Sequence, residues 1–302
     1  MNILVTGGTG FLGRHLVNRL KQDLKNQITV VNTENCNLLN KENLARLNQE
    51  RFDLIYHLAA WTKAGDFCLY HSGEQWINNQ LINTNILWYW SKFQSTATFI
   101  TMGTSCAYPD GHQDLIEIDY LRGEPSPDLY TYAMTKRMLL QGLRALNKQY
   151  GLNYQYLVPP TLYGPNFEKD DNHFIFDLVK KIYYGKTRND PVVLWGDGYQ
   201  IRELIYADDV VDLIIRFATT DLNQIINIGT GIGYTIRDCA AIISKALDFD
   251  VNRIAYDINA PYIGTGRRVL DNKKLRKEIE NYKFTSLEEG VCKTIEYFKL
   301  LG

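Results

Sequence analysis

Tyr132 and Lys136 stand four residues apart, the only Tyr-x-x-x-Lys spacing in the chain. On a helix that spacing is about one turn, so both side chains project from one face. An ammonium beside a phenol favours a shared, low-pKa proton, and a phenol that releases its proton as hydride arrives suits chemistry at a carbonyl. A second group of residues lies near the N-terminus, in Gly7-Gly8-Thr9-Gly10-Phe11-Leu12-Gly13. Gly7, Gly10 and Gly13 between a strand and a helix permit a tight turn, close approach of backbone to a pyrophosphate and close packing of helix on strand. The anion then rests on the helix N-terminus, beside Phe11, Leu12 and Arg14. Gly229-Thr230-Gly231-Ile232-Gly233 also follows a strand, but its third glycine comes one residue too early for the same fingerprint, and it reads as a loop between lobes.

The residue closing the second strand bears on which dinucleotide fits. An NAD reader places a carboxylate there for the ribose hydroxyls; this chain has Asn32. An uncharged amide does not repel a 2′-phosphate and Arg14 can help neutralise one, so NADP(H) is favoured and NAD(H) is the alternative, with Asn32 binding an unphosphorylated ribose.

These residues need elements to hold them. Apolar runs at 2–6, 28–31, 54–60, 98–102, 154–158 and 225–228 read as strands, and amphipathic stretches at 11–23, 74–93 and 130–150 read as helices. Alternation of this kind predicts an α/β fold, a doubly wound parallel sheet of the Rossmann type with helices on both faces. After Pro159 the pattern turns irregular, and after Gly229 a helix-rich stretch follows. The expected division is a dinucleotide-binding domain from residues 1–160 and 192–228, and a smaller, discontinuous substrate-binding lobe from 161–191 and 229–302.

Composition narrows the partners. The 302 residues carry a formal net charge of −1 with dispersed charges, which gives no electrostatic footprint for nucleic acid or a membrane surface. No run of eighteen apolar residues exists, and the chain opens on a strand, so a cytoplasmic protein is expected. Cys36, Cys68, Cys106, Cys239 and Cys292 never pair at metal-ligand spacing, which predicts reduced thiols and no metal. The helices at 74–93 and 130–150 carry apolar residues on more than one face, which predicts a homodimer.

On these residues the chain resembles the extended short-chain dehydrogenase/reductases that act on nucleotide sugars. The resemblance spans nearly the whole length: the glycine opening, His57-Leu58-Ala59-Ala60, Tyr132 with Lys136, and Arg202-Glu203-Leu204-Ile205-Tyr206-Ala207-Asp208-Asp209. Within that group it is most similar to the GDP-L-fucose synthase family. The narrower match lies in Gly103-Thr104-Ser105-Cys106-Ala107-Tyr108-Pro109, Leu162-Tyr163-Gly164-Pro165, Asn172-His173-Phe174-Ile175, Val193-Leu194-Trp195-Gly196 and Ile226-Asn227-Ile228-Gly229-Thr230-Gly231.

What the resemblance implies is a 3,5-epimerase and 4-reductase acting on a GDP-4-keto-6-deoxy sugar. Thr104 would hydrogen-bond the C4 carbonyl, Tyr132 would donate the proton, and Lys136 would lower the tyrosine's pKa while binding the nicotinamide ribose. Leu58, Ala59 and Ala60 would line the cofactor. Inversion beside a ketone needs a base on one face and an acid on the other; in the family these match Cys106 and His173. Arg202 and Trp195 stand where the family has the same residue types for substrate binding, and Lys181, Arg267 and Arg268 are further basic candidates. The chain departs from the family pattern at Thr104 for serine, Thr161 for asparagine, Lys181 for arginine and Thr9 for arginine, so the sugar itself stays open, a GDP-heptose included. A nucleotide-sugar 4-epimerase or plain 4-keto reductase would need only Tyr132 and Lys136. A non-enzymatic dinucleotide sensor on the same fold is the third reading. A 4,6-dehydratase is disfavoured, because Ser105-Cys106 offers no carboxylate after the threonine.

Overall fold

The computed structural model describes residues 1–63, 67–169, 171–220, 222–260 and 264–301. Its main sheet is built from β1 (Asn2–Thr6), β2 (Gln27–Val31), β3 (Leu54–His57), β4 (Thr98–Met102), β5 (Tyr154–Val158) and a later strand, Gln224–Asn227, in the order β2, β1, β3, β4, β5, Gln224–Asn227. All five pairings are parallel. The chain leaves β1 for β2 on one side and crosses back to β3 on the other, so a crevice opens at the C-terminal ends of β1 and β3, where ligands bind in such sheets.

Period-two alternation explains why the sheet is covered twice. Ile3 and Val5 of β1, Leu54 and Tyr56 of β3 and Ile100 of β4 point into one core; Leu4, Ile55 and Phe99 point into the other. The first is closed by α1 (Phe11–Leu20), through Leu16 and Val17, and by the later helix Ala207–Phe217. Behind the other lie α3 (Ser72–Phe93) and α4 (Tyr130–Tyr150), packed together through residues such as Ile86, Trp90, Leu139 and Leu143, with the short α2 (Phe67–Tyr70) against α3. Gly151 ends α4 in the left-handed region at φ 70°, and its N–H donates to Asn147 O at 2.8 Å.

The expected strand at 54–60 stops at His57. Leu58 N still donates to Thr6 O at 3.1 Å, but residues 58–60 then leave the ladder, partly exposed beside the glycine loop. Their apolar character serves the wall of the crevice instead of a sheet. The helix expected at 11–23 likewise ends at Leu20, in a turn closed by Gln22 N on Arg19 O and Asp23 N on Leu20 O.

The smaller lobe contains β6 (Thr161–Tyr163), α5 (Phe174–Thr187), β7 (Val192–Trp195), β8 (Ile201–Tyr206), β10 (Gly233–Thr235), α7 (Ile236–Leu247), β11 (Ile254–Asp257), β12 (Arg267–Arg268) and α9 (Leu287–Leu300); α6 is Ala207–Phe217, β9 is Gln224–Asn227 and α8 is Lys273–Glu278. β8 pairs with β6, β10 and β12, and β7 pairs with β11 in a separate parallel ribbon. β7, expected on the sheet side, buries Val192 and Leu194 in the lobe's core with Ile182, Ile243 and Phe249. Its apolar residues alternate with exposed Val193 and Trp195, which fits a strand with one wet face and not a central strand covered twice. No helix among the described residues is long and apolar enough to cross a membrane.

Candidate active site

The glycine loop is shaped by what a side chain would strike. Gly7 takes φ 70°, and a Cβ there would lie 2.6 Å from Ala59 N, so only glycine lets the loop touch the end of β3. A Cβ on Gly13 would run into the Gly7 carbonyl oxygen. α1 then starts at Phe11 with no side-chain cap and no acidic residue in its first turn. The first N–H groups of a helix lack intrahelical acceptors and carry the positive end of its dipole. The loop therefore fits a dinucleotide pyrophosphate, with Leu58, Ala59 and Ala60 as the facing wall.

At the end of β2, Asn32 Oδ1 accepts from Glu34 N at 3.0 Å and Asn35 N at 2.9 Å, closing a tight turn. Arg14 points elsewhere than a free phosphate clamp would. Its guanidinium donates to Thr9 O at 2.7 Å, to Glu168 at 2.6 Å and to Asn166 O. A 2′-phosphate seeking Arg14 competes with Glu168. By contrast the Gly229–Gly231 loop is already filled by the protein's own anion: Glu203, almost fully buried, accepts from Gly231 N at 2.7 Å and Thr230 Oγ1 at 3.2 Å. Burial pushes the Glu203 carboxyl up to about 7, against the pull of those donors.

The candidate residues Thr104, Cys106, Tyr132 and Lys136 gather at the end of β4. Gly103 admits no side chain, because a Cβ would meet Tyr156 at 2.6 Å and Tyr120 at 2.8 Å. Thr104 N donates to the Tyr120 hydroxyl at 3.3 Å, Tyr120 bonds Tyr156 at 3.0 Å, and Tyr156 donates to Lys136 O at 2.8 Å. This buried relay ties the loop after β4 to the helix that carries Tyr132 and Lys136. Sequence spacing did not reveal Tyr120 or Tyr156 as its members. Thr104 Oγ1 accepts from Cys106 N at 3.2 Å, and the Tyr132 phenol stands close to the same side chain. Arg137, one residue beyond Lys136, is buried and donates to Ala107 O at 2.8 Å, Gly123 O at 2.7 Å and Arg122 O at 2.9 Å. It fixes the backbone just after Cys106.

The Lys136 ammonium donates to Met102 O at 3.1 Å, and burial lowers its pKa to about 8. Burial above all holds the Tyr132 phenol protonated; the neighbouring Cys106 acts in the same direction and Thr104 in the other. The tyrosine is thus a phenol and not a tyrosinate.

His173 is the residue preceding α5, half exposed, with Nδ1 2.6 Å from Asp171 Oδ1; its backbone N–H donates to the same oxygen at 2.8 Å. Although burial opposes it, contact with His173 holds the Asp171 carboxyl below its usual range. Nδ1 being engaged, Nε2 is the nitrogen left for chemistry. Asp171, two residues before the histidine, was not among the expected site residues. Trp195 is 52% exposed, so it belongs to a surface and not to the core. The Lys181 ammonium lies 6.0 Å from its ring centroid and pairs with Asp177 at 2.9 Å. Arg202 donates to Thr265 O at 2.6 Å, and Arg267 is exposed on β12 beside it. Of the remaining histidines, His15 and His57 are buried. Among the described residues no group of three or more His, Cys, Asp or Glu can hold a metal ion.

Comparison with known proteins matches this arrangement. The profile of the NAD dependent epimerase/dehydratase family covers residues 3–229. The chain is 28% identical to the GDP-L-fucose synthase of Escherichia coli strain K12, over 98% of this chain and 96% of that protein. It is 29% identical to the GDP-L-colitose synthase of Yersinia pseudotuberculosis, over 99% of this chain and 98% of that one. The crystal structure of a GDP-L-fucose synthetase from Naegleria fowleri bound to NADP superposes with a TM-score of 0.88 at 23% identity, covering 99% of this chain and 92% of the other.

Proposed function

We propose, from the premise that the chain belongs to the NAD-dependent epimerase/dehydratase family, that it is a 3,5-epimerase and 4-reductase of a GDP-linked 4-keto-6-deoxy sugar or close relative. The observation that carries this reading is a thiol set beside a reductase pair: Thr104 Oγ1 accepts from the Cys106 backbone N–H, and the Tyr132 phenol stands close to both residues. The names of the full-length relatives support the GDP-sugar.

NADP(H) is the favoured cofactor, with NAD(H) the alternative; seated in the glycine cradle, it supplies the hydride. Tyr132 gives its proton to the C4 oxygen, while Thr104 holds that oxygen by its hydroxyl. Lys136 would hold the cofactor's nicotinamide ribose. For inversion, Cys106 takes a proton from the carbon beside the ketone, and the electron pair of that C–H bond passes to the C4 oxygen as an enolate. His173 returns a proton through Nε2 to the opposite face, with Asp171 holding the ring. Lys181, Trp195, Arg202 and Arg267 grip the nucleotide end, Arg202 as a bidentate donor to the diphosphate.

A GDP-4-keto-6-deoxymannose incubated in D₂O without reduced cofactor should gain deuterium at C3 and C5, and Cys106→Ser should suppress the exchange because an alcohol is far less acidic than a thiol. His173→Gln should slow inversion. No deuterium at either carbon, with reduction to an uninverted sugar, selects the plain 4-keto reductase instead.

The working unit is a homodimer in this reading. Trp76, Ile77, Leu81 and Trp88 of α3 and Tyr130 and Met138 of α4 leave large apolar surface exposed on the helix pair, which suits pairing with a second copy. A monodisperse monomer in light scattering at micromolar concentration would exclude it.

A further inference from the structure

We infer that Arg268 is a positioning residue for Cys106, gripping its sulfur from the opposite lobe and setting a fixed positive charge against it. This rests on the reading of Cys106 as the base. Arg268 Nη1 lies 3.1 Å from Cys106 Sγ, between residues 162 apart in the chain. That is the one hydrogen bond its side chain makes among the described residues, and no carboxylate pairs with it there. A guanidinium does not lose its proton in a protein, so the sulfur faces a permanent positive charge. A cation at contact distance favours the charged form of a thiol, and the thiolate is the form that can accept a proton.

Both partners are fixed from behind. Arg268 is paired with Arg202 across β12 and β8. On one side of it Ile201 N donates to Gly266 O at 2.8 Å, and on the other Leu270 N donates to the buried Glu203 carboxylate at 2.7 Å. The same segment is stitched to the main domain where Asp271 N donates to Leu115 O at 3.1 Å. On the sulfur's side, Thr104 holds Cys106 N, Arg137 holds Ala107 O, and Tyr108 donates to Asn227 at 2.6 Å. Neither group reaches the other through a loose loop.

Cys106 and the Tyr132 phenol, which burial holds protonated, stand close together, and the guanidinium sets a fixed positive charge on the sulfur's side of the pair. In the step itself the thiolate forms S–H as the substrate C–H breaks, leaving Arg268 unchanged for the next turnover.

The test compares wild type, Arg268→Gln and Arg268→Lys in the full chain by iodoacetamide alkylation at pH 7, each cysteine followed by peptide mass spectrometry. Exposed Cys292 serves as the internal reference. Loss of one neighbouring cation should slow alkylation of Cys106 by about tenfold, with Cys292 unchanged and Arg268→Lys recovering part of the rate. Circular dichroism and dinucleotide binding separate this from misfolding. Equal Cys106 rates in a folded Arg268→Gln and wild type overturn the inference, and a raised KM with unchanged alkylation assigns Arg268 to substrate binding instead. Alkylation needs no turnover. Slowed alkylation in Arg268→Gln with no deuterium exchange in wild type therefore overturns the proposed epimerisation and upholds the pairing.

Discussion

His57 closes β3 at the floor of the cofactor crevice, 2% exposed, with Nδ1 2.8 Å from Thr6 Oγ1 and Nε2 3.1 Å from Asn83 Oδ1. Burial lowers its pKa from 6.5 to about 4, and the positive charge of Lys136 also opposes its protonation. Between these two values the unfolded chain takes up a proton that the folded one refuses, so stability falls as pH drops through that window. The shift of about 2.5 units, at 1.36 kcal/mol each, amounts to roughly 3 kcal/mol, most of it lost by pH 4.5. His57→Gln removes the titrating group and keeps a polar side chain. Urea unfolding at pH 7.5 and pH 4.5 should show wild type losing at least about 2 kcal/mol more than His57→Gln between the two conditions. The variant's own lower stability at pH 7.5 cancels in that comparison. Parallel losses in both proteins would refute the reasoning, because the buried imidazole would then be titrating as it does in the unfolded chain.

Tyr132→Phe should cut single-turnover ketone reduction by on the order of 10² to 10⁴ while leaving cofactor binding nearly intact; a loss under about tenfold would remove the tyrosine as donor. Gly13→Ala places a methyl against the Gly7 carbonyl oxygen, so dinucleotide affinity in a fluorescence titration should fall at least about tenfold with the fold retained, roughly 1.4 kcal/mol. Unchanged affinity would show that the loop yields without cost. Asn32→Asp should reduce the preference for NADPH over NADH by repelling the 2′-phosphate, and an unaltered ratio of dissociation constants would place that phosphate away from β2. Arg137→Met leaves three carbonyls without their donor, which should cost on the order of 2–4 kcal/mol in urea unfolding. A change below about 0.5 kcal/mol would show that water replaces the guanidinium.

Elements with strong periodicity and clear ends were legible in the sequence. β4, α4 and β5 fall where the pattern puts them, and α4 stops at Gly151. The end of β3 was not legible, because Leu58, Ala59 and Ala60 are apolar for the sake of a crevice wall and alternation cannot distinguish a wall from a ladder. β7 was misplaced for a related reason: a short apolar run does not say which of two cores it enters. In the site, the spacing of Tyr132 and Lys136 told that they share a helix face, but not that Lys136 turns to Met102. The Asp171–His173 pair was present as a two-residue interval and carried no weight without the bend before α5. The contact of Cys106 with Arg268 spans too much chain for any spacing to signal it.

That span has a consequence for how the protein comes into being. The glycine turn and the end of β3 meet across about fifty residues, Thr6 to His57 being 51 apart, whereas the thiol and its guanidinium are separated by 162. A growing chain emerges N-terminal end first, so the pieces that seat a dinucleotide exist long before the strand that brings positive charge to the sulfur. A nascent chain that stops short of β12 has every strand of the main sheet but lacks the guanidinium that meets the sulfur. On the proposed pairing, the two halves of the chemistry are therefore staggered in time, the charge beside the sulfur arriving with the last stretch of synthesis.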